Sequence, residues 1–158
     1  MTVIGVRCLK DEVFVAVLEG TRIKPIITDK ARVEIILKAP KTAVTRAEKL
    51  NYLKREFLQL IDKYKPNAVS IKNHESSPHR VNIHSTAQRG EIEGIIQDLC
   101  YEARIPVEGL LYTQIKTKLK FTDKSKKFQM EKVEENFELG KLDDNSKDAI
   151  LCAWAVLE

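Results

Sequence analysis

The chain is poor in cysteine. Cys8, Cys100 and Cys152 lie far apart and form no C-x-x-C spacing. That argues against a disulfide framework and for buried thiols in a reducing cytoplasm. Glycine is scarce too. Its six residues are scattered, so there is no glycine-rich loop to cradle a phosphate. Long apolar runs are missing, and the longest are strand-sized, which excludes a membrane-spanning helix. The opening "MTVIGVRC" has no basic stretch followed by a long apolar one, so no secretory signal is expected and the expected location is cytoplasmic. Internal repeats and low-complexity segments are absent, as is any Ser/His/Asp or Cys/His nucleophile pattern.

What is present describes a folded protein. Of 158 residues, 43% are hydrophobic and 32% charged, which favours a single domain over 1–158 with a sizeable core. The net charge of +4 permits a nucleic-acid partner without demanding one. Its distribution is more telling. Residues 114–132, "QIKTKLKFTDKSKKFQMEK", hold seven lysines against two acids, with Phe121 and Phe128 among them. Clustered cations with apolar anchoring suit a surface that tracks phosphates, and a solvated lysine-rich face is the plain alternative.

Hydrophobic period sets the elements. "TVIGVRC" and "EVFVAVLEG" read as a β-hairpin, and "RVEIILKA" as a third strand ended by Pro40. Over 45–64, Leu50, Leu53, Phe57, Leu60, Ile61 and Tyr64 recur at helical steps. "AVSIK" reads as a buried strand after Pro66, residues 76–85 as a polar loop or helix entry, and 87–104 as a second helix. "VEGLLY" is the next strand. A third helix is expected from about Thr122 and a last one from near Asn145. The order β-β-β-α-β-α-β-α-α implies a mixed sheet with helices on both sides. Trp154 and Phe137 read as core, and Cys8 and Cys152 as small buried hydrophobes.

The closing stretch "LDDNSKDAILCAWAVLE" places Asp143, Asp144, Asn145 and Asp148 at the mouth of an apolar helix. Such residues suit a helix cap, and they also suit metal ligation. In an α/β sheet, sites form beyond the strand ends, where Arg7 of the first strand and Lys72 of the fourth would meet these acids. His74, His79 and His84 recur every five residues and share no helical face, so a zinc site there is not expected.

Several stretches together resemble the RNase H-like superfamily, and within it a bacterial Holliday-junction resolvase of the RuvC type. "VIGVRC" stands where that family has an I-G-I-D-P-G strand. "LKREFLQLIDKYKPNAVSIKNHES" is similar to its helix, proline turn and glutamate-ended strand. "STAQRGEIEGII" is similar to a Q-A-R-G helix entry, "YTQIKTKLKFTDKSKKFQMEKV" to a Q-V-K segment with its lysine-bearing helix, and "DDNSKDAILCAWA" to the closing D-A-A-D-A-L-A helix. The resemblance implies an α/β RNase H-like fold: a mixed five-stranded sheet with an initial antiparallel meander and helices on both faces.

It also implies a two-metal phosphodiesterase, in which four carboxylates hold paired Mg²⁺. Carried onto this chain, those positions are Arg7, Lys72, Asn145 or Asp144, and Asp148. Only Asp148 is a secure carboxylate. Exchanging two carboxylates for Arg and Lys alters the local charge by about four units, and neither residue offers Mg²⁺ an oxygen. The expected reading is therefore a catalytically impaired relative with no metal cofactor, in which Asp148 and Asp144 neutralise the cations. It would bind DNA or RNA through Lys116, Lys118, Lys120, Lys124, Lys126 and Lys127, with Arg7 and Lys72 reaching a phosphate if the pocket is open. One alternative is a Mg²⁺-dependent nuclease with rearranged ligands Asp144, Asp148 and Glu75. Another is a non-catalytic protein-interaction domain. The resemblance further suggests a homodimer.

Overall fold

The computed structural model describes residues 1–75 and 82–158. Strand β1 (Thr2–Cys8) pairs antiparallel with β2 (Glu12–Gly20) and parallel with β5 (Ala68–Lys72), which pairs parallel with β6 (Val107–Leu110). Beyond β2, two short strands share one edge: β3 (Pro25–Ile27) pairs its Leu18–Gly20 segment and β4 (Ile35–Lys38) its Glu12–Val15 segment. The mixed sheet thus has six strands in five positions. The expected third strand is shortened to Ile35–Lys38, because its first residue belongs to the 3₁₀ turn Lys30–Arg32 capped by the Asp29 carboxylate, and Pro25–Ile27 adds a strand that was not expected.

Alternation along the strands sends side chains to two cores. Ile4, Val6, Cys8, Val69 and Ile71 pack under α1 (Arg46–Tyr64) and α2 (Ile83–Glu102). Val3, Ala16, Leu18 and Ala68 face α5 (Asp144–Val156), flanked by α3 (Tyr112–Leu119) and α4 (Lys126–Phe137). Helix α5 lies unusually close to β1 because Gly5 has no side chain. A Cβ there would fall 1.9 Å from the Ala149 carbonyl oxygen. Small neighbours complete the fit, with the buried Cys152 thiol against the Ser70 and Val6 carbonyls. This close approach sets Asp148 above the ends of β1 and β5.

Helix α1 starts at a capping box. Glu48 N–H donates to Thr45 Oγ1 at 3.2 Å, and Thr45 N–H donates to Glu48 Oε2 at 2.8 Å. Thr45→Ala should cost about 1 kcal/mol in denaturant unfolding, with the slope of the transition unchanged. A loss below the error of that measurement would mean that Glu48 alone suffices at this end.

Several boundaries differ from the sequence expectation. "VEGLLY" ends as a strand at Leu110, and Tyr112 opens a helix instead. The next helix is capped by Ser125, not Thr122, and the last by Asp143. Helix α2 begins at Ile83, capped by Asn82, four residues before the expected start. Among the described residues no helix is long and apolar enough to cross a membrane.

Candidate functional site

Arg7 and Lys72 are the last inward-facing residues of two parallel strands, on the α5 side of the sheet. Asp148, one turn into α5, lies over them. Arg7 Nε lies 3.5 Å from Asp148 Oδ2, with Arg7 87% and Asp148 97% buried at the side chain. Arg7 also donates through Nη1 to the carbonyls of Lys72 and Asn73, at 3.1 and 3.3 Å. Its guanidinium therefore closes the end of β5 as well as facing the acid.

Lys72 is 1% exposed. Its ammonium donates to the Asn73 carbonyl at 2.8 Å and sits 3.7 Å from the centre of the Tyr112 ring. That arrangement is a cation–π contact in a desolvated site. The pocket that would let Lys72 reach a phosphate is not open, because the Tyr112 ring covers the ammonium. Burial pushes its pKa down, against the opposing pull of Asp148 and Glu75.

Tyr112 is the member that the sequence reading missed. As the first residue of α3 it turns its hydroxyl onto Asp148 Oδ1, at 2.6 Å, while its backbone N–H donates to Glu75 Oε1 at 2.6 Å. Burial, then the nearby Asp148 charge, raises the phenol's pKa, so it stays a donor. Burial also raises the pKa of Asp148, even though the Tyr112 hydroxyl, Arg7, Lys72 and Lys126 all favour its charged form. Both Asp148 oxygens are engaged within the cluster, one by Arg7 and the other by the Tyr112 hydroxyl.

The remaining acids are engaged elsewhere. Asp144 is exposed and pairs with Lys126 at 3.0 Å. Asn145 is held by Asp143, the helix cap. Among the described residues, no three His, Cys, Asp or Glu side chains come together as a group able to hold a metal ion. The set Asp144, Asp148 and Glu75 is therefore not assembled. Nor do the family's four ligand positions fit paired Mg²⁺: Arg7 and Lys72 supply no oxygen, and both Asp148 oxygens face cations or the phenol. His74 lies beside this pocket with its pKa lowered, chiefly by desolvation and then by Arg89, Arg7 and Lys72. His84 is on α2, and His79 lies outside the described residues.

The lysine segment folds as α3, a loop and the start of α4. Fully buried Gln129 ties it to the pocket, donating to the Tyr112 and Lys124 carbonyls at 3.0 and 3.1 Å. Lys116 follows one turn after Tyr112 on α3, and the Lys124 carbonyl shares the Gln129 amide with the Tyr112 carbonyl. Lys118 pairs with Glu108 at 3.0 Å and Lys126 with Asp144. Lys116, Lys120, Lys124 and Lys127 form no ion pair among the described residues. Phe121, Phe137 and Trp154 do not stack outward. They form an edge-to-face cluster, Trp154 lying 5.6 and 5.5 Å from the two phenylalanine rings.

No family model matches the chain, and no curated protein sequence matches it. Solved structures do. Thermus thermophilus RuvC in complex with Holliday junction substrate aligns at 17% identity over 98% of this chain and 92% of that one, with a TM-score of 0.78. A second Thermus thermophilus RuvC structure gives 18% identity over 98% and 92%, with a TM-score of 0.79. The yeast mitochondrial Holliday junction resolvase Ydc2 gives 15% over 97% and 76%, with a TM-score of 0.64. The fold is accordingly RNase H-like, of the kind these resolvases share.

Proposed function

We propose that the protein is a catalytically impaired relative of the RuvC-type resolvases, a single domain over 1–158, that binds branched nucleic acid without cutting it. The observation that carries this reading is the pocket itself. At the strand ends, where the resemblance implies metal-holding carboxylates, Arg7 and Lys72 close on Asp148 beneath Tyr112. A divalent cation would meet two buried positive charges there, and a buried charge of like sign repels it strongly at any dielectric a protein provides.

Binding rests on the surface beside that pocket. Lys116, Lys120, Lys124 and Lys127 are unpaired among the described residues and lie along one segment, an arrangement suited to successive phosphates. One of the structures it resembles is a protein solved with a Holliday junction, which supports a branched substrate for this one.

The test is electrophoretic binding at low salt to four-way and linear DNA and RNA, followed by incubation with Mg²⁺ or Mn²⁺. The expected result is binding that falls steeply with salt, and intact strands. Replacing Lys116 and Lys124 together by Ala should weaken binding across sequences and flatten the log–log salt slope by about two, one for each lost phosphate contact. Unchanged affinity in that variant places the interface elsewhere. Metal-dependent strand cleavage, lost in Asp148→Ala, overturns the non-catalytic reading in favour of a nuclease. No binding to any of the four substrates leaves a protein-interaction domain.

A further inference from the structure

The turn that joins β2 to β3 presents an apolar tip at full exposure. Ile23 is 97% exposed, the highest value among the large hydrophobic side chains of the described residues, and Lys24 beside it is exposed too. An exposed isoleucine on a floppy loop would mean little. This turn is held from four sides. Thr21 and Lys24 bond each other's backbone in both directions, at 3.3 and 3.1 Å. Arg22 N–H donates to the Glu158 carbonyl at 3.0 Å, its Nε to the Leu157 carbonyl at 3.0 Å, and its Nη1 to the Lys118 carbonyl at 3.3 Å. Trp154 Nε1 donates in turn to the Arg22 carbonyl at 2.8 Å. The turn is entered through Gly20 at φ +98°, where a Cβ would fall 2.5 Å from the Lys24 carbonyl oxygen.

Position matters as much as rigidity. The bond from Arg22 to Lys118 sets the turn against the C-terminal end of α3, one residue pair away from Lys120. Helix α3 runs from Tyr112 at the pocket to this turn, so the lysine surface has the pocket at one end and Ile23 at the other. Lys24 follows Ile23 in the turn and Lys120 caps the end of α3 two residues beyond the Lys118 carbonyl that Arg22 holds, while Lys118 is neutralised by Glu108.

We infer that Ile23 is a wedge that enters a base step of nucleic acid bound along α3, with Lys24 and Lys120 on the adjoining phosphates. The inference rests on the nucleic-acid-binding reading above. An apolar side chain inserted between bases unstacks them at a cost, and that cost is least where stacking is already broken. A branch point is such a place. The turn meets the other requirement of a wedge, since its ordering is complete before binding.

The experiment uses four-way junctions of DNA and of RNA carrying 2-aminopurine at the branch, with the intact protein, Ile23→Ser and Lys24→Ala. Ile23 is solvated, so Ile23→Ser should leave the thermal midpoint unchanged. It should weaken junction binding about tenfold, abolish the rise in 2-aminopurine fluorescence that the intact protein produces, and leave the salt slope as it was, because no phosphate contact is lost. Lys24→Ala should instead lower that slope by about one. An Ile23→Ser variant that binds as tightly as the intact protein, or that keeps the fluorescence rise, overturns the wedge while the binding reading stands. Failure of the intact protein to bind any junction overturns both.

Discussion

Asp148→Asn should destabilise the protein by about 3–5 kcal/mol, the usual effect of removing one partner from a buried ion pair. The asparagine keeps the size and can still accept from Tyr112, but it leaves the Arg7 and Lys72 charges uncompensated in a site that water barely enters. A helix-cap residue facing solvent would cost only about 1 kcal/mol, so the two roles are separable by denaturant unfolding. Arg7→Met in the Asp148→Asn background should recover part of the loss. The triple variant Arg7→Met, Lys72→Met, Asp148→Leu should reach or exceed the parent's stability, because an apolar filling avoids desolvating three charges. The raised pKa of Asp148 points the same way: its burial is not fully repaid by its partners. Strictly additive effects, with Asp148→Asn costing under about 1 kcal/mol, would mean that the three side chains do not act as a unit.

Arg7→Asp combined with Lys72→Glu should convert the pocket into a divalent-cation site. Three carboxylates, at two strand ends and one turn into α5, would then face one another where the parent has one. The variant should be unstable without metal, since like charges crowd together, and should recover on adding Mn²⁺. At a metal concentration one hundred times its dissociation constant the gain is about 2.7 kcal/mol. The parent's thermal midpoint should not move over the same titration. Calorimetry gives the independent measure, with binding heat expected in the double variant and abolished by adding Asp148→Ala. A folded double variant with neither heat nor a shift in midpoint would show that the strand ends no longer hold the geometry a metal needs.

Both experiments concern a cluster that is partly legible in the sequence. The strands β1, β2 and β5 and the helix α1 follow from strong periodicity, and their order alone brings Arg7, Lys72 and Asp148 to one end of the sheet. Tyr112 was not legible. It follows "VEGLL", a run whose apolar residues extend a strand by pattern, and nothing local announces that the chain turns into α3 at that residue. The cue is Gln114, whose side chain accepts the Leu111 N–H, a helix-start device read only once the turn is known. The late start of the expected third strand had a local cause as well, the Asp29-capped turn that takes up Arg32. Helix α2 escaped its true start because Ile83 is exposed and the first turns carry no apolar face, so period was silent there. The role of Gln129 was hidden for a different reason. A polar residue within a lysine-rich helix reads as solvated, and only tertiary packing buries it against two carbonyls.

The divided edge of the sheet has a consequence for how the chain behaves in a crowded solution. A long open strand edge is a template on which another chain can add itself, and repeated addition makes fibrils. Here the outer positions are filled by strands of three and four residues on one side and four on the other. The Lys30–Arg32 turn interrupts the first edge between its two pieces, so Ile36, though exposed, belongs to a run too short to recruit a neighbour of useful length. Continuous pairing is available only to β1, β2 and β5, which lie inside the sheet. The two pieces are also out of register, since Ile27 pairs with Leu18 and Ile35 with Val15, so seven residues cross a gap of two on β2 and no single straight strand can form along that border.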